Sequence, residues 1–103
     1  MADFKHLSVQ DAKVLIDGGQ VTVVDIRDPQ AFEQGHIANA HSINDQNIET
    51  FLKEADRQKP LICCCYHGIS SQSAASFFVE QGFQDVSSID GGYERWRSVY
   101  GDH

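Results

Sequence analysis

Residues 61–75, Leu-Ile-Cys-Cys-Cys-Tyr-His-Gly-Ile-Ser-Ser-Gln-Ser-Ala-Ala, constrain this chain more than any other stretch. An apolar run ends on a cysteine, turns through a glycine and restarts on serines, which is the pattern of a buried strand, a tight loop and a helix N-terminus. Cys65 falls where strand becomes loop. The backbone N–H groups of Tyr66, His67, Gly68, Ile69, Ser70 and Ser71 can then turn inward around its sulfur as an anion cradle. Those six residues are the expected substrate-binding loop. A thiol at the rim of such a cradle is favoured as thiolate by nearby donors and by the positive end of the helix dipole. Cys65 is therefore the expected nucleophile.

A free thiol titrates near pH 8.5, so only a few per cent is ionised at pH 7, and lowering that midpoint by one pH unit requires about 1.4 kcal/mol. A favourable helix terminus supplies up to about 2 kcal/mol, which brings the thiol to roughly pH 7. The remainder must come from loop amides, which would also hold a leaving anion where charge changes during reaction.

The flanking segments alternate between helical and strand patterns. Ser8 reads as an N-cap, with Ala12, Leu15 and Ile16 at helical spacing and Gly18-Gly19 as the stop. Val21–Asp25 is a short β-branched run suited to a strand covered on both faces. Asp28-Pro29 is an N-cap followed by an N1 proline; Ala31 and Phe32 lie on the short helix that follows, and Gly35 closes it. A brief strand is expected at 41–43. Ile48, Phe51, Leu52 and Ala55 mark a third helix with one apolar stripe. Pro60 introduces the central strand, Ala74, Phe77 and Phe78 define the inner face of a fourth helix, and Val86–Ile89 is another strand. Asp90-Gly-Gly opens a last helix carrying Tyr93, Trp96 and Tyr100. Such alternation predicts an α/β fold of three layers, a parallel sheet of about five strands with helices on both faces. Ligands in these sheets bind beyond the carboxyl ends of the strands, where Cys65 is placed.

The length of 103 residues suits one domain over 1–103, able to bury about two-thirds of its unfolded surface. Eight basic against fifteen acidic side chains give a net charge of −7, which argues against nucleic acid and anionic membrane as partners. An anionic substrate must then be held by local donors. The three cysteines are consecutive. Adjacent Cα atoms lie about 3.8 Å apart, too close for an ordinary disulfide, so a reducing compartment is expected. Strand alternation sends Cys64 to the face opposite Cys63 and Cys65, which disfavours a metal site. No basic stretch followed by an apolar one opens the chain, so no secretory signal is read and the cytoplasm is the expected location.

Four motifs in order carry a family resemblance: Val24-Asp-Ile-Arg-Asp-Pro29; Gly35-His-Ile37 with Ala40; Cys65-Tyr-His-Gly-Ile-Ser-Ser71; and Ile89-Asp-Gly-Gly-Tyr-Glu-Arg-Trp96. Over nearly its whole length the chain resembles the single-domain rhodaneses, of the GlpE type of thiosulfate sulfurtransferase. The resemblance implies that Cys65 takes a sulfane sulfur from thiosulfate or another donor, becoming a persulfide, and releases sulfite. Cyanide, a small thiol or a dithiol protein such as a thioredoxin-like one then removes that sulfur. It implies no cofactor. Family members commonly carry aliphatic residues where Cys63 and Cys64 stand, and often Arg or Lys after the cysteine, whereas this loop offers only His67 and neutral side chains. Weak thiosulfate binding is the expected consequence.

Other residues carry plainer readings. His67 fits a donor to the substrate anion, a partner of the thiolate or a solvated loop residue. Asp25 and Arg27 read as a structural pair, His36 as structural, and Cys63, Cys64 and Trp96 as core. A rhodanese-fold cysteine phosphatase is the rival enzyme, but it needs an arginine six positions after the cysteine, where this chain has Ser71. A non-enzymatic rhodanese-like interaction module is the other rival, and loss of the cysteine would be its mark.

Overall fold

The computed structural model describes residues 3–101. Five parallel strands alternate with five helices: β1 (Lys5–Leu7), α1 (Val9–Asp17), β2 (Thr22–Asp25), α2 (Pro29–Gln34), β3 (His41–Ser42), α3 (Ile48–Glu54), β4 (Leu61–Cys64), α4 (Ser70–Glu80), β5 (Val86–Ile89) and α5 (Gly92–Tyr100). The sheet order is β1-β5-β4-β2-β3, so the cysteine strand is central as expected. All four pairings are parallel.

Strand alternation divides the core in two. Val23, Ile62, Cys64 and Ile89 turn toward Val9 and Ala12 of α1 and Tyr93 and Trp96 of α5. Val24, Leu61, Cys63 and Val86 turn the other way, toward Ala75 and Phe78 of α4 and the partly buried Ile48, Phe51 and Leu52 of α3. Helices thus cover both faces, and Cys63 and Cys64 lie on opposite ones. β4 and β5 are buried at every residue, as a strand between two helical layers must be.

Local signals placed most of the boundaries. Ser8 caps α1 by accepting from the Asp11 N–H at 3.0 Å, and Asp28 caps α2 by accepting from the Ala31 N–H at 3.0 Å, with Pro29 behind it. Three details differ from the sequence expectation. The N-terminal strand β1 is an edge strand of three residues, without apolar alternation. Leu15 is exposed, and α1 buries Val9 and Ala12 instead. Phe77 also faces outward, while Ser71, Ala75 and Phe78 form the buried stripe of α4.

Candidate active site

Cys65 is the first residue beyond β4, at the carboxyl edge of the sheet, and only 3% exposed. The next turn of chain folds around its sulfur. Sγ accepts from the Gly68 N–H at 3.1 Å and the Ser71 N–H at 3.2 Å, and lies 3.2 Å from the Ser71 hydroxyl. Helix α4 starts at Ser70 with Ile69 as its N-cap, a residue whose side chain makes no capping bond. The sulfur occupies the place that a capping oxygen would take, so helix initiation and thiolate stabilisation draw on the same donors.

Burial pushes the Cys65 thiol up, but the Ser71 hydroxyl and the amides of Ser71, Gly68 and His67 outweigh it, and the thiol lies below its ordinary range. The neighbouring thiols show what burial does without donors. Cys63 is pushed up to about 12, and Cys64 higher still, chiefly by burial. Of the three adjacent cysteines, Cys65 alone is shifted toward the thiolate, and the other two are shifted away from it.

The loop is held from below by a second helix start. The Tyr93 N–H donates to the Cys65 carbonyl at 2.7 Å and the Glu94 N–H to the Tyr66 carbonyl at 3.0 Å. This closeness explains Gly92: a Cβ there would stand 2.5 Å from the Cys65 oxygen and 2.6 Å from Tyr66 backbone atoms. Gly68 has φ +83°, and a Cβ on it would meet the Gly91 nitrogen at 2.7 Å. The two glycines let loop and α5 approach to hydrogen-bonding distance, and Gln72 Nε2 braces the loop by donating to the Gly68 carbonyl at 2.8 Å.

The expected loop residues separate into distinct positions. Gly68 and Ser71 are buried against the sulfur, whereas Tyr66, His67, Ile69 and Ser70 have exposed side chains. Ile69 is 75% exposed. Tyr66 turns away from the sulfur and donates its hydroxyl to the Asp28 carboxylate, which is held below the usual carboxylate range by that bond while the phenol is raised. The structure thus links the loop to the N-cap of α2 through Tyr66. Nothing in the spacing of the sequence pointed to that contact.

Asp25 and Arg27 form the pair read from sequence. Arg27 Nη2 donates to Asp25 Oδ2 at 2.6 Å and Nε to Oδ1 at 3.0 Å, and both side chains are almost wholly buried. The guanidinium also donates to the Gly35 carbonyl at 2.8 Å and lies over the Tyr93 ring, 4.1 Å from its centroid. His36 is structural too: Nδ1 lies 2.7 Å from the Phe32 carbonyl, and the ring stacks on Phe32. Sequence reasoning passed over Ser88, a buried strand residue whose Oγ lies 2.7 Å from Ser71 Oγ. Its signal was present, since two adjacent serines are unusual in a strand covered on both faces.

The family model described as a rhodanese-like domain matches residues 8–99. A thiosulfate sulfurtransferase GlpE from Pseudomonas syringae pv. syringae (strain B728a) is 50% identical over 100 residues, covering 97% of this chain and 93% of that protein. Among solved structures, a rhodanese-related protein from Thermoplasma volcanium is 26% identical, with TM-score 0.80 over 94% of each chain. A protein of unknown function from Rhodopseudomonas palustris CGA009, described as a possible tyrosine phosphatase, is 29% identical, with TM-score 0.81 over 97% of this chain and 83% of that one. With a family model spanning most of its length and half its residues shared with a curated member, the chain belongs to the rhodanese family.

Proposed function

We propose that this protein is a thiosulfate sulfurtransferase, and that residues 1–103 act as one catalytic domain. The observation that carries the reading is a cysteine sulfur taking the place of the N-cap of α4, with Gly68 and Ser71 donating to it. The named function of the 50% identical relative supports it. In the first half-reaction the Cys65 thiolate attacks the outer sulfur of thiosulfate, a sulfur–sulfur bond forms to Cys65 as the one within thiosulfate breaks, and sulfite leaves with the electron pair. In the second, cyanide or a thiolate attacks the outer sulfur of the persulfide, and the Cys65 thiolate returns. Both half-reactions move negative charge along one line above the loop. Fixed amides that point at that line stabilise it without reorganising. The cellular acceptor is a small thiol or a dithiol protein of thioredoxin-like kind, and the site of action is the cytoplasm.

A phosphatase reading fails at the sixth position after the cysteine. Ser71 stands there, with its hydroxyl engaged between Cys65 Sγ and Ser88 rather than free to clamp phosphate. The test is a side-by-side assay. Thiocyanate should form from thiosulfate and cyanide with one sulfite released per turnover, and aryl phosphate should remain uncleaved. Phosphate release at a rate comparable to thiocyanate formation would overturn the assignment.

The loop carries no Arg or Lys, and the net charge of −7 opposes approach of a dianion. Ile69→Arg places a cation at an exposed loop position with little packing to lose. At about 4–6 Å and an effective dielectric near 20, a unit charge contributes a few kcal/mol before screening and side-chain entropy. The expected result is a several-fold lower KM for thiosulfate at low ionic strength, erased by high salt. An unchanged KM in the folded variant would mean that the donor does not bind over this loop.

A further inference from the structure

The buried chain of three groups, Cys65 Sγ, Ser71 Oγ and Ser88 Oγ, has no explanation in packing. Ser88 lies on β5 beside Cys63 of β4, and its register puts its side chain on the α4-facing side of the sheet, beneath the first turn of that helix. Ser71 and Ser88 are at most 1% exposed. A hydroxyl in such a place costs free energy unless it is bonded, and an alanine or valine would fill the site without that cost. Among the described residues, the one hydrogen-bond partner of Ser88 Oγ is Ser71 Oγ, at 2.7 Å.

The direction of the protons follows by counting. With Cys65 as thiol donating to Ser71, the Ser71 hydroxyl turns to Ser88 and the Ser88 proton has no acceptor within the chain of three. With Cys65 as thiolate, Ser88 donates to Ser71 and Ser71 donates to the sulfur, so both hydroxyl protons are placed. The thiolate is the state in which the chain is fully satisfied, and hydrogen bonds in series strengthen one another.

We propose that Ser88 is a positioning residue for the reaction: its hydroxyl donates to Ser71 Oγ and so turns the Ser71 proton onto the Cys65 sulfur. The inference rests on Cys65 being the nucleophile, but its action is on the ionisation of that thiol and is read without any sulfur transfer. The titratable side chains on the segments packed against Cys65 are Cys63 and Cys64 on its own chain segment, Asp25 and Arg27 at the end of β2, Tyr66 and His67 in the loop with Asp28 bonded to Tyr66, and Asp90, Tyr93, Glu94 and Arg95 at the start of α5. The first turn of α4 contains no acidic side chain. Ser88→Ala removes none of these groups, so a change in the thiol would come through the hydroxyl chain.

The experiment is the pH dependence of iodoacetamide alkylation, with the label localised to Cys65 by fragmentation mass spectrometry. In Ser88→Ala the midpoint should rise by about 0.5 in pH, roughly threefold in ionisation constant, as expected for weakening one buried hydrogen bond. Ser88→Thr keeps the hydroxyl and should restore the original midpoint. In a Ser71→Ala background, Ser88→Ala should have no further effect, because the connecting hydroxyl is gone. Should Ser88→Ala not fold, Ser88→Cys carries the same prediction, since a thiol is a poor donor. An unchanged midpoint in a folded Ser88 variant, or an equal rise with and without Ser71, would overturn the proposal. Failure of sulfur transfer with the predicted rise intact would instead count against the function proposed for Cys65.

Discussion

Cys65→Ser is expected to abolish sulfur transfer from thiosulfate to cyanide, a loss of roughly a thousandfold or more, while Cys63→Ser and Cys64→Ser retain most of the activity. The three residues are adjacent and chemically identical, so position alone separates them. Cys63 and Cys64 are fully buried on opposite faces of the central strand, and burial keeps both protonated: the Cys63 thiol is pushed up to about 12. Neither has loop amides on its sulfur. Cys65 does, and its thiol moves the other way. Thiocyanate production by the purified variants, with circular dichroism to show folding, checks the prediction. A folded Cys64→Ser protein as inactive as Cys65→Ser would show that the nucleophile has been misplaced.

Arg27→Ala is expected to lower unfolding stability by about 3–5 kcal/mol, the usual cost of leaving a buried charge without its partner. Asp25 is 1% exposed, and three of its four bonds come from the Arg27 guanidinium. The same substitution removes the bond to Gly35 and the contact with Tyr93, which tie α2 and α5 to the end of β2. A domain of this size has about 5–15 kcal/mol in total, so the loss is a large fraction of it. Replacing both partners together, as Asp25→Leu with Arg27→Met, should recover most of the loss, because the main cost lies in the orphaned charge. Urea denaturation measures both. Equal destabilisation of the single and double variants would show that contacts other than the ion pair dominate at this site.

Much of this architecture was legible because local and long-range signals agree. Asp28-Pro29 marks the start of α2 locally, and the short unbroken apolar run at 61–65, bounded by Pro60 and the Gly68 turn, suits a strand with helices on both sides. The strand-loop-helix reading of residues 61–75 located the turn for the same reason, since Gly68 can take the φ of +83° found there and serines favour helix N-termini. What escaped was set by tertiary contact. Lys5–Leu7 becomes a strand because β5 offers an open edge, and Lys5 meets Asp85 at 3.1 Å there. Phe77 turns outward because Ser71, Ala75 and Phe78 already form the buried stripe of α4, and a helix presents only one such face. The Tyr66–Asp28 bond and the Ser71–Ser88 contact join residues 38 and 17 positions apart, beyond the reach of any periodicity.

The central claim is that one sulfur atom resides covalently on Cys65 between the two half-reactions. Intact-protein mass spectrometry after incubation with thiosulfate and removal of excess donor tests it directly. The account predicts a gain of one sulfur atom, localised to Cys65 by fragmentation, absent in Cys65→Ser and lost again on addition of cyanide with thiocyanate appearing in equal amount. Thiocyanate formation with no added mass at any stage, or a sulfur atom found on Cys63 or Cys64 instead, would contradict it.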